Sequence, residues 1–114
     1  MKRDDEGVGH RHARLQELIF EELRSLFADD ISDPDLEDVT IVAVVLSVDY
    51  RHARVHFALG GHAQRAHAPA ASIDRALRRA MPWLRRRLAE AIDLKVTPDL
   101  RFVREPHAPG GVDA

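Results

Sequence analysis

Between Ser72 and Ile92 the chain reads SIDRALRRAMPWLRRRLAEAI, six arginines set around one proline. A guanidinium keeps its charge at any physiological pH. Its planar fork of donors matches phosphate oxygens, so a cluster of arginines suits a polyanion. At 100° per residue from Ile73, the side chains of Ile73, Leu77, Ala80, Leu84, Leu88 and Ala91 share one narrow arc, the period of an amphipathic helix. Arg75, Arg79 and Arg86 fall opposite that arc, and Arg78 and Arg85 lie on one flank. Arg87 sits nearer the apolar edge, where its stem can snorkel. The competing reading is a solvated charged face with no ligand.

Pro82 interrupts this run. It has no N–H for the carbonyl of Arg78, and its ring crowds that carbonyl, a mid-helix cost of ~3 kcal/mol. It also disfavours the helical region for Met81. The expectation is a kink, or two helices with Pro82 in the first turn of the second.

Other chemistry is sparser. There is no cysteine, which excludes disulfides, thiolate catalysis and cysteine-based metal sites. His10/His12 and His52/His56 can each share a face, but neither pair comes with an HExxH pattern or a third ligand at telling spacing. Solvated histidines are the preferred reading, and neither a metal nor a cofactor is expected. The acidic run DDISDPDLED at 29–38 lacks the glycine and terminal glutamate of a calcium loop. With no P-loop, dinucleotide fingerprint or nucleophile elbow, the chain is not expected to be an enzyme.

The charges are segregated. Residues 1–50 hold 5 basic and 13 acidic side chains, whereas residues 51–95 hold 10 basic and 3 acidic. The net charge of −2 therefore hides a cationic segment suited to a polyanionic partner, unless folding brings the halves together and cancels the field.

These side chains need elements to position them. At 114 residues the chain fits a single domain with one core. Residues 1–9 are polar and expected to be mobile. Leu15, Leu18, Ile19, Leu23, Leu26 and Phe27 keep helical spacing and predict a helix from His10 to Ala28, ended by the acidic turn at 29–35. Val39 to Asp49 predicts a strand. Its apolar residues occupy both parities from Ile41 to Leu46, which suggests a strand covered on both sides or central in its sheet. His52 to Leu59 alternates, and the short Tyr50-Arg51 connection makes the two strands an antiparallel hairpin. Ser72 is the expected N-cap of the arginine helix, after a loop at 62–71. Asp99 to Arg104 predicts a third strand and 105–114 a disordered tail. No apolar run spans a bilayer and the N-terminus lacks an export signal, so a cytoplasmic address and no membrane partner are expected. The order is α-β-β-α-(kink)-α-β.

That order, with these residues, resembles the ribosome-binding factor A family, bacterial factors for late maturation of the small ribosomal subunit. The matching pieces are the leading helix, the turn Asp33-Pro34-Asp35-Leu36 and the strand pair VTIVAVVLSVDYRHARVHFAL, where Thr40, Ser47, Asp49, Ala53 and Val55 fit the family pattern. The arginine-rich helix and the ending Pro98-Asp99-Leu100-Arg101-Phe102 complete the set, which runs from about Arg11 to Arg104.

The resemblance implies an α+β fold of the K-homology type II class, a three-stranded sheet with helices packed on one face, over residues 10–104. Ordinary RNA-clamping members carry a Gly-x-x-Gly loop between their last two helices. The family places an Ala-x-Gly kink there instead, and the aligned residues here are Ala80-Met81-Pro82, with proline in place of glycine. Both residue types break helices. The implied partner is the small (30S) subunit and its 16S rRNA, bound by a monomer with no small-molecule substrate. Arg75, Arg78, Arg79, Arg85, Arg86 and Lys95 are the candidate RNA-binding residues, acting on phosphate positions and RNA shape. Met81 and Trp83 either contact RNA or cover the core edge, and the second reading is preferred. A rival from another class is a protein-interaction module working through the acidic N-terminal half.

Overall fold

The computed structural model describes residues 2–60 and 69–105, with side chains from residue 9 onward. The elements are α1 (Lys2–Ser25), a π-helical turn (Leu26–Asp30), a 3-10 turn (Pro34–Leu36), β1 (Val39–Leu46), β2 (His52–Leu59), α2 (Ala70–Ala91) and β3 (Asp99–Arg104). The helical backbone of α1 begins well before His10 and runs on through Gly7 and Gly9, where a mobile segment was expected. At its other end, the Ile31 N–H reaches back to the Leu26 carbonyl at 2.9 Å, closing a wide turn. That turn buries both Leu26 and Phe27.

The sheet order is β1-β2-β3, with β1 antiparallel and β3 parallel to the central β2. The expected hairpin is present, but β1 stops at Leu46 instead of Asp49, its turn takes residues 47–51, and it is an edge strand rather than a central or doubly covered one. Its two-sided apolar pattern has another cause. The register slips between Ile41, opposite Phe57, and Ala43, opposite His56, leaving Val42 as an extra residue. Inward parity therefore switches from Val39 and Ile41 to Val44 and Leu46, all four buried. A bulge lets one strand present apolar residues of both parities to a single core.

That core lies between the sheet and the two helices. Ile19 and Leu23 of α1 and Leu84 and Leu88 of α2 are wholly buried, against Val55 and Phe57 of β2 and Leu100 of β3. Deleting one such leucine side chain costs about 2–5 kcal/mol. The acidic turn joins the core through Leu36, where Asp33 caps the 3-10 turn by accepting the Asp35 N–H at 3.0 Å.

Of the two expected outcomes at Pro82, a division into two helices does not occur. One helix runs from Ala70 to Ala91 with the proline inside it, and Met81 is helical. The buried stripe explains this, because Ile73, Ala76 and Leu77 before the proline and Leu84 and Leu88 after it keep a single helical phase. Packing on both sides outweighs the lost bond to Arg78, at a position where Arg78 and Pro82 are both exposed residues. The helix also starts earlier than expected. Ser72 is not its N-cap, since Pro69 takes that place and its carbonyl accepts the N–H groups of Ser72 and Ile73. Most of the expected 62–71 loop lies outside the described residues.

Candidate nucleic-acid interface

The amphipathic phase of α2 sets where its arginines point, and they divide into three groups. One flank faces the acidic turn. Arg79 Nη2 donates to Asp33 Oδ2 at 2.9 Å, and Arg87 Nη2 donates to Asp30 Oδ2 at 3.2 Å. The Asp35 amide and then the Arg79 guanidinium hold the Asp33 carboxyl below the usual aspartate range. The Arg87 guanidinium also lies 5.3 Å from the ring centroid of Trp83, a cation–π contact on a half-buried ring packed against the core. Trp83 and Met81 thus cover the core edge.

Arg85 forms the second group by itself. Its Nη2 donates to the Thr97 carbonyl at 2.8 Å and its Nε to the Pro98 carbonyl at 3.4 Å, with Asp99 at 3.6 Å. A forked cation spanning two carbonyls and a carboxylate fixes the connection that leads into β3. This geometry ties Arg85 to its own chain.

The third group is the solvent ridge of Arg75, Arg78 and Arg86, all exposed. Arg75 makes one long contact, to Ser72 Oγ at 3.4 Å. Arg78 and Arg86 form no hydrogen bond or ion pair with any other described residue. Eight residues of helix separate them by roughly 12 Å along the axis. Neither guanidinium is engaged in an ion pair with a described residue, so this ridge offers phosphates the donors that the other two groups have already committed. Ala80 and Met81 are half-buried and Pro82 is exposed within the same helix.

Lys95 is placed by a second feature of the surface. It stands on the rim of a cleft of about 630 Å³ beside the middle of α1, together with Arg11, Arg14 and Arg51. Leu15, Leu18, Tyr50 and Val96 supply its apolar lining. The sequence places Arg11 and Arg14 in the acidic half, where their charge is hidden by the total. Their i,i+3 spacing on one helix face was the available signal.

The end of β1 and the hairpin turn form one wall of that cleft, and α1 clasps them. His12 Nε2 donates to the Leu46 carbonyl at 2.7 Å and lies 3.2 Å from that of Ser47, while Gln16 Oε1 accepts the Leu46 N–H at 2.8 Å. Within the turn, Ser47 Oγ donates to Asp49 Oδ1 at 2.6 Å and the Arg51 N–H donates to the same oxygen at 3.0 Å. The Ser47 hydroxyl and then the Arg51 amide hold the Asp49 carboxyl below its usual range.

The described histidines, His10, His12, His52 and His56, are spoken for or solvated. Besides His12, His56 Nδ1 donates to Glu105 Oε2 at 2.5 Å, and the Glu105 N–H bonds the Phe57 carbonyl at 2.7 Å. Glu105 therefore prolongs β3 instead of opening the expected tail, whose residues 106–114 lie outside the described ones. Among the described residues no three His, Cys, Asp or Glu side chains are placed to hold a metal, and no helix is long and apolar enough to cross a membrane.

The family model of ribosome-binding factor A matches residues 11–110. Ribosome-binding factor A of Heliobacterium modesticaldum is 37% identical over 99 residues, covering 86% of this chain and 78% of that protein. The Halorhodospira halophila protein is 39% identical over 96 residues, covering 83% and 73%. Among solved structures, the crystal structure of ribosome-binding factor A from Thermus thermophilus superposes with a TM-score of 0.61 at 27% identity, covering 89% of this chain and 98% of that one. A homology model of the Thermus thermophilus factor, fitted into a cryo-EM map of a 30S complex, gives 0.56 at 27% identity over 83% and 91%. The helix pair, the mixed sheet and the matched sequence agree, and the chain belongs to the ribosome-binding factor A family.

Proposed function

We propose that this protein is a non-catalytic assembly factor that binds the free or immature small ribosomal subunit through its 16S rRNA. It acts as a monomer in the bacterial cytoplasm and assists late maturation and rRNA processing. Its scaffold is a K-homology type II-like domain in which a proline-containing helix replaces the Gly-x-x-Gly loop. Recognition runs through phosphate positions and RNA shape, since the sheet offers no row of exposed aromatics to read bases. By binding one rRNA arrangement more tightly than others, the factor shifts the population toward it and leaves when mature contacts compete.

The observation that carries this reading is the solvent ridge of α2. Arg75, Arg78 and Arg86 are exposed and pair with no described carboxylate, whereas Arg79, Arg85 and Arg87 each hold hydrogen bonds to acceptors of the chain itself. Support from outside the chain comes from the Thermus thermophilus relative fitted into a 30S map. The rival protein-interaction reading is weakened, because Asp30 and Asp33 of the acidic segment already serve Arg87 and Arg79.

Sedimentation of cell extract at low and high salt tests the proposal. The protein should travel with free small subunits, leave them at high salt, and be absent from translating ribosomes. Binding that survives both RNase and high salt, and is lost on neutralising residues 29–38, would favour the rival instead.

A further inference from the structure

The cleft beneath the hairpin turn holds an aromatic ring on strained backbone. Tyr50 has φ 66°, the left-handed region that side-chain-bearing residues rarely occupy. The turn imposes it. The Tyr50 N–H bonds the Ser47 carbonyl at 2.9 Å, and Asp49 ties the Ser47 hydroxyl to the Arg51 amide. Strain persists only where surrounding bonds over-determine it, and it points to a use for the side chain so placed. The Tyr50 ring lies 5.5 Å from that of His12, tilted by 50°, and His12 is itself pinned on the end of β1. One side of the ring is thus buttressed, and the ring lines the cleft beside Leu15 and Leu18.

Charge around the hollow has one dominant sign. Arg11, Arg14, Arg51 and Lys95 face two carboxylates, Asp49 and Asp93, and Asp49 is already engaged in the turn. A cationic rim about an apolar floor with a fixed aromatic ring matches a ligand that joins a flat ring to phosphates. A volume of about 630 Å³ accommodates a nucleotide. We infer that the cleft takes an unstacked nucleotide of a single-stranded RNA segment, its base against Tyr50 and its flanking phosphates on Arg11, Arg14, Arg51 and Lys95. The inference rests on the RNA-binding reading above and adds to the α2 ridge a second contact that engages a base.

Tyr50 is the only tyrosine in the chain, so its ring resonances report on the cleft alone. Titrating short oligouridylate and oligoadenylate into the full-length protein should shift them saturably, and equally in the Arg78→Ala/Arg86→Ala variant. Tyr50→Leu, which retains apolar cover, should weaken oligonucleotide binding about tenfold, the loss of one stacked base, while Tyr50→Phe binds as wild type. Arg14→Ala with Lys95→Ala, both at exposed positions, should weaken it and lessen its salt dependence. A Tyr50 ring unmoved by millimolar oligonucleotide overturns the assignment, as does an oligoglutamate peptide that shifts it equally. If the ridge variant loses subunit binding while the Tyr50 ring stays unmoved, the ridge stands and the cleft does not. A moving Tyr50 ring with normal subunit binding by the ridge variant means the reverse.

Discussion

The two flanks of α2 carry the same residue type and end in different chemistry. On one flank Arg79 and Arg87 meet Asp33 and Asp30, so their charge is compensated within 3.2 Å. On the solvent ridge Arg78 and Arg86 meet no described carboxylate. A charge count along the sequence treats all four alike. The fold separates them, because the acidic turn is anchored by Leu36 in the core and brings its aspartates to one flank only. Local pairing, rather than residue number, decides which arginines project a field.

The largest effect that sharpens this contrast belongs to Arg85, which neither flank claims. Arg85→Ala should lower unfolding stability by about 1–2 kcal/mol, since the Thr97 and Pro98 carbonyls lose a charged donor. Arg85→Lys should recover little, because a single ammonium cannot span both carbonyls. Denaturant titration of the three proteins checks this. Next comes Pro82→Ala. In a continuous helix the substitution restores an N–H toward the Arg78 carbonyl, and stability should rise by about 1 kcal/mol or more with subunit binding unchanged. A loss of stability would mean that the helix depends on a bend at Pro82.

Asp33→Asn breaks the comparison from the other side. The amide oxygen can still cap the 3-10 turn, so stability should change by less than about 1 kcal/mol. Arg79 is then released, and subunit binding at low salt should tighten. Binding that stays the same would show that Arg79 faces away from the RNA. The smallest effect is on acid stability. Asp33 and Asp49 both have folded values below that of an unfolded aspartate. Their contributions are complete above the ordinary aspartate value and are lost as pH falls through the lower folded values. Unfolding followed downward from about pH 5 should therefore show a decline that Asp33→Asn and Asp49→Asn each lessen.

Much of this architecture is legible in the residues. The alternation of Ala53, Val55 and Phe57 gives the second strand of the hairpin, and the stripe from Ile73 to Leu88 gives the buried face of α2, whereas the expected two-residue connection is a five-residue turn over 47–51. Three features are not legible, for identifiable reasons. A bulge at Val42 changes strand parity, which imitates a doubly covered strand when read as plain periodicity. Pro82 does not divide the helix in two, because Leu77 and Leu84, buried on either side of it, hold both halves to one core. The roles of Arg79, Arg85 and Arg87 depend on partners 12 to 57 residues away, which no local pattern encodes. The cleft was hidden similarly, since Arg11 and Arg14 come from one end of the chain and Lys95 from the other.

The central claim is that the ridge, and not the compensated flank, carries the phosphate contacts. The most direct measurement is the salt dependence of binding to purified small subunits for two variants, Arg78→Ala/Arg86→Ala and Arg79→Ala/Arg87→Ala. The ridge variant should bind more weakly, with a log–log salt slope shallower by about 1.5, the release expected for two phosphate contacts. The flank variant should keep the wild-type slope and lose only stability. A flank variant with the shallower slope, or two variants with equal slopes, would contradict the account.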